Sequence, residues 1–163
     1  MQRPSLGRPG GGVQDLVEVG GGAPLVLGQR MHVHAEGEGA AVGVAELGGA
    51  GEVTSVTAPP GGPITVTWGI KQAGSQGLTE NNARFGVMRI MRAVQKTQLA
   101  AGGAAPTVRL VGQYQLAGAA APVTVVRLRF DPTTVERGDF DDRRYLEAFD
   151  MADAAVIHPA FRG

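Results

Sequence analysis

The sequence predicts an α+β domain, a small and mostly antiparallel sheet covered by one long helix, preceded by a Gly-rich, weakly structured N-terminal segment. Three observations carry this expectation. The stretch ITVTWGI alternates Ile64, Val66, Trp68 and Ile70 with Thr65, Thr67 and Gly69, the period of a half-buried strand. Over residues 80–101, at about 100° per residue, Val87, Ile90, Met91 and Val94 share one helix side and Arg89, Arg92 and Lys96 the other. Residues 107–116 and 123–130 read as two more strands, joined as an antiparallel pair by the Ala/Gly/Pro-rich residues 117–122.

Taken in order, residues 1–24 carry Gly triplets on either side of VQDLVEV, too short to fold alone, and read as a disordered arm. Residues 25–62 form a weak β or linker segment: Leu25, Leu27, Met31 and Val33, then Ala41, Val42, Val44 and Leu47, are split by the E-G-E-G run at 36–39. The APPGGP stretch at 58–63 is a turn or linker, because two prolines and two glycines continue neither regular element, so the α+β domain is expected over residues 63–163. After the ITVTWGI strand, KQAGSQG is a loop, Thr79 is the expected N-cap with Glu80 suited to the helix dipole, and Gly102 with Gly103 stops the helix. Asp131-Pro132 opens a short helical turn, residues 141–151 read as another, and residues 154–161 as a final extended segment. The expected core is Trp68, Val87, Ile90, Met91, Val94, Leu110, Leu128 and Phe130.

A length of 163 residues suits one domain, and 15 basic against 15 acidic residues leave no net charge. That balance argues against nucleic acid or an anionic membrane surface as the main partner, since both select a strong positive field. Sign is unevenly placed: Arg84, Arg89, Arg92, Lys96, Arg109, Arg127 and Arg129 occupy the middle, and acids crowd residues 131–153. With no cysteine there is no disulfide, thiolate metal site or cysteine nucleophile. The chain as given shows neither a signal peptide nor an apolar run long enough to span a membrane.

Four patterns bear on chemistry. His32, His34, Glu36 and Glu38 alternate, so an extended backbone sets all four on one face, where they can converge on a divalent metal; the set resembles part of the first cupin motif. The competing reading is a solvated polar stretch, as the second cupin motif has no counterpart. A-G-S-Q-G at 73–77 has the look of a nucleophile elbow, with acids and His158 downstream, but the structured length is too short for the large parallel sheet that Ser75 would need. Asp139, Asp141 and Asp142 lack EF-hand spacing, and salt bridges with Arg143 and Arg144 are the simpler reading. Finally, Arg127 and Arg129 share a strand face and Arg89, Arg92 and Lys96 a helix face, candidate sites for a phosphate- or carboxylate-bearing polymer, set against ordinary solvated faces.

From Ile64 onward, ITVTWGI, GLTENNARFGVMRIMRAVQK, TVRLVGQYQL, VTVVRLRF and the ending FDDRRYLEAFDMADAAVIHPAFRG together resemble a C-terminal-type domain of uncharacterised actinobacterial secreted proteins and lipoproteins. Phe149, Asp150, Ala152, Asp153, His158, Pro159 and Phe161 carry the ending. The resemblance implies an extracellular or cell-envelope domain with no established activity. Leu27-Gly28-Gln29 and Pro59-Pro60-Gly61 are faintly similar to immunoglobulin-like lipoprotein modules, and Leu78-Thr79 with Ala83-Arg84 to the helix start of peptidoglycan-binding outer-membrane-protein-A-like domains.

The expectation is a non-enzymatic envelope or secreted accessory domain without a cofactor, in which His158 is structural. Its alternatives are a cell-wall or anionic-polymer binding module using the arginine faces, and a small metal-dependent enzyme built on His32 and His34.

Overall fold

The computed structural model describes residues 47–162. Five strands form one mixed sheet in the order β1-β2-β3-β4-β5: β1 Gly51–Thr57, β2 Ile64–Ile70, β3 Val108–Tyr114, β4 Val123–Phe130 and β5 Ala154–Ile157. β1 with β2, β3 with β4, and β4 with β5 pair antiparallel, whereas β2 and β3 are parallel. The α+β expectation holds in this coarser form, with one long helix and a mixed sheet whose β2–β3 joint is parallel. Parallel neighbours need a long crossover, and the helix α1, Gln76–Ala101, supplies it.

The alternation in β2 sets one sheet face. Ile64, Val66, Trp68 and Ile70 are buried, and across the joints Val108, Leu110, Val126, Leu128 and Phe130 join them beneath α1. From α1 come Ala83, Val87, Met88, Ile90, Met91 and Val94, all buried; at about 1.5–3 kcal/mol per large apolar side chain this packing is the main source of stability. Trp68 is fully buried at the centre. A Cβ at Gly86 of α1 would sit 2.8 Å from the Trp68 indole nitrogen, and one at Gly112 of β3 would sit 2.9 Å from its ring, so both neighbours are reduced to backbone.

Three features differ from the sequence expectation. Residues 58–63 are the connection of the β1–β2 hairpin, not a boundary: Leu47, Ala50, Val53 and Val56 belong to the same core, which extends to the first described residue. β1 hides its pattern because the register slips between Val53 and Ser55, so its two buried valines fall three apart instead of two. The helix begins earlier than Thr79. Ser75 is the N-cap, its hydroxyl accepting from the Leu78 N–H, while Thr79 is buried in the first turn, donating to the Ser75 carbonyl and accepting from the Ala73 N–H. Gly102 ends α1 in the left-handed conformation, as the glycine pair predicts.

Beyond β4 the chain crosses the outer side of α1 before returning to the sheet. It forms α2, Pro132–Arg137, then a 3-10 segment, Asp142–Glu147, and re-enters as β5. This strap changes the expected surface helix into one held between two layers. Phe85 stacks on Tyr145 with centroids 4.2 Å apart, Arg84 donates to the Leu146 carbonyl, and Gln95 donates to the carbonyls of Val135, Glu136 and Gly138. No described helix is long and apolar enough to cross a membrane.

Candidate functional site: an open sheet face with unpaired arginines

The two candidate arginine faces lie on opposite sides of the molecule. On the helix side, Arg89 donates to the Leu47 carbonyl and pairs with Asp142 at 3.5 Å, and Arg92 donates to the Phe140 carbonyl and pairs with Asp142 at 3.1 Å. These two guanidinium groups therefore bind the chain to itself, closing the strap and the segment before β1 onto α1. Lys96 is exposed further along the same helix.

Arg127 and Arg129 alternate with the buried Val126, Leu128 and Phe130, so they project from the sheet face that α1 does not cover. The register adds a third member that periodicity in one strand does not reveal: Arg109 of β3 lies directly opposite Arg129, and Val111 opposite Arg127. On β2 the same face continues as Thr65 and Thr67, which pair with Arg109 and Val111. Gln113 and Thr124 face each other farther along β3 and β4, and Ala154 and Val156 lie beside Arg129 and Arg127 on β5. None of these residues is buried, and Val156 is 67 % exposed.

Placing Arg109 opposite Arg129 is unfavourable by itself, since like charges directly across a strand pair repel. Asp131 offsets part of it, its carboxylate 3.1 Å from the Arg129 Nε. Arg109 and Arg127 are exposed and make no ion pair among the described residues. The result is a hydroxyl-flanked sheet face that gathers three arginines on a chain with no net charge.

The other candidates resolve into structural roles or lie elsewhere. His32, His34, Glu36 and Glu38 fall outside the described residues, and among the described ones no group of three His, Asp or Glu converges on a metal position. Ser75 has its hydroxyl committed to the α1 cap. His158 is half-buried; its Nδ1 accepts from the Ala160 N–H and its backbone N–H donates to the Val125 carbonyl, fixing the turn that buries Phe161. Of the acids, Asp142 pairs with Arg89 and Arg92, Asp139 with Arg144 at 3.6 Å, and Asp141 accepts from the Arg143 N–H. Asp153 accepts from the Asp131 N–H at 2.7 Å and the Thr134 hydroxyl at 3.1 Å. The backbone donor chiefly, with the hydroxyl adding to it, holds the Asp153 carboxyl below the ordinary carboxylate range.

A cleft of about 360 Å3 lies between the end of α1, residues 103–105 and the start of α2. Gln98 borders it, and the amide nitrogen of Gln98 is buried without a hydrogen-bond partner among the described residues. Its walls hold one carboxylate, Glu136, and one hydroxyl, Thr133, with no hydrogen bond between them, so they offer no activated nucleophile.

Comparisons with protein-family models, with curated proteins and with solved structures find no match to this chain.

Proposed function

We propose that this chain is a non-catalytic binding domain of the cell envelope or the secreted space, and that the open sheet face is its working surface, taking an anionic polymer through Arg109, Arg127 and Arg129. The observation that carries the reading is the gathering of these three arginines on the sheet face opposite α1, where, among the described residues, no helix packs and only Arg129 has a carboxylate partner. A stable fold has no need of this arrangement, since cross-strand repulsion opposes it. A ligand that brings negative charge turns that cost into affinity, and an open sheet face accommodates an extended polymer better than a compact small molecule. The envelope setting rests on the resemblance of the stretches from Ile64 to the end of the chain to secreted and lipoprotein domains.

Of the two arginine sets legible in the sequence, the strand set is the one whose charge is available. Arg89 and Arg92 already satisfy backbone carbonyls and Asp142. Co-sedimentation of the full chain with cell-wall fragments carrying anionic polymer tests the proposal. Retention at low salt that weakens steadily as salt rises is expected, and no retention at low salt rejects it.

A further inference from the structure

Resting on that reading, we infer that the polymer is a phosphate-bearing chain recognised through its anionic groups, and not through sugar rings or bases. The first ground is the absence of any ring on the open face. All eight aromatic side chains of the sequence lie among the described residues and are committed elsewhere. Trp68, Phe130, Phe140, Phe149 and Phe161 are buried, Tyr114 packs edge-on against Phe161, and Phe85 stacks on Tyr145 on the far side of α1. Single-stranded nucleic acid is held by stacking its bases on such rings, and this surface has none to offer.

The second ground is spacing. Arg109 stands opposite Arg129, and Arg127 is two residues back along β4, so Arg109 and Arg127 are diagonal neighbours, roughly 7–8 Å apart at Cα. Arginine side chains reach across that distance, which lets two guanidinium forks meet one anion from two sides. A carboxylate accepts only in its own plane, where two guanidinium groups share it one oxygen each, as Arg89 and Arg92 do at Asp142. A phosphate group arranges its oxygens tetrahedrally and can take a second fork on another edge. The flanking Thr65, Thr67 and Thr124 hydroxyls can donate to further phosphate oxygens along the same face.

The test is binding of the full chain to three probes of matched charge, inorganic polyphosphate, polyglutamate and a single-stranded oligonucleotide, followed by calorimetry at low and moderate salt. Polyphosphate is expected to bind at least about tenfold more tightly than polyglutamate, and the oligonucleotide no more tightly than polyphosphate. The double variant R109Q/R127Q should lose at least about tenfold in polyphosphate affinity, whereas Lys96→Gln on the helix side should lose less than about twofold. Polyglutamate binding as tightly as polyphosphate would overturn the phosphate assignment, and the oligonucleotide binding more tightly than polyphosphate would overturn recognition without bases; either leaves the anionic-polymer reading standing. Failure of all three probes at low salt would remove both. Unchanged polyphosphate affinity in R109Q/R127Q, with the variant folded by circular dichroism, would show that the sheet face is not the site.

Discussion

Trp68 sets the separation between α1 and the sheet. Its ring lies between Gly86 and Gly112, and its indole N–H is buried without a partner, a cost accepted for a large apolar contact. Gly86→Ala should therefore destabilise. Alanine gains up to about 1 kcal/mol in helix propensity, but its methyl would lie 2.8 Å from the indole nitrogen, and overpacking of that kind costs about 1–3 kcal/mol. A lower urea midpoint with an unchanged slope is the expected result. A second prediction concerns Asp153, which ties the start of α2 to the residue preceding β5. Its folded pKa is depressed, so the stability it contributes is fully present above the unfolded value of about 4 and is lost as pH falls through the folded value. Asp153→Asn should unfold more easily than the parent at neutral pH, and the difference should close at acid pH, as thermal melts across that range will record. At this scale the sequence was most readable: all eight residues expected in the core are buried. The cap at Ser75 was less so, because Gly77 weakens the first-turn pattern and Thr79 is itself a good capping residue.

At the scale of elements, the strap over α1 is the feature that periodicity cannot announce. An amphipathic pattern separates apolar from polar positions, and a polar helix side is ordinarily read as solvated. Here Arg84, Arg89, Arg92 and Gln95 donate chiefly to backbone carbonyls, acceptors that every sequence possesses and none advertises. Gln95 is the sharpest test, since one amide serves three carbonyls of residues 135–138. Gln95→Leu should cost about 0.5–1.5 kcal/mol, the net worth of hydrogen bonds that are part-buried or exposed, and should raise amide exchange in residues 135–147 before that of β2 or β3. Exchange rising evenly over the whole domain would mean that strap and sheet open together. β1 is hidden in the sequence for a different reason: its bulge breaks the two-residue period on which strand recognition depends. The order strand, long helix, strand permits the parallel β2–β3 joint, since a helix is the crossover that parallel neighbours need, but the order alone does not say which strands pair.

For the molecule as a whole, a formal charge of zero conceals a division of labour. On one side of the sheet, guanidinium groups are consumed in holding the strap; on the other, Arg109 and Arg127 face solvent without carboxylates among the described residues. Sequence alone grouped Arg127 with Arg129 by alternation, but it could not add Arg109, because strand register is a long-range property. Nor could it separate the two arginine sets into structural and available ones. The measurement that tests this division most directly is the salt dependence of polyphosphate binding in the parent, in R109Q/R127Q and in Lys96→Gln. Each guanidinium that neutralises a polymer charge contributes a little under one unit to the slope of log affinity against log salt, by analogy with nucleic-acid polyanions. The double variant should flatten that slope by about 1.5–2 units while Lys96→Gln leaves it unchanged; equal slopes in all three proteins would contradict the assignment of the open face as the binding surface.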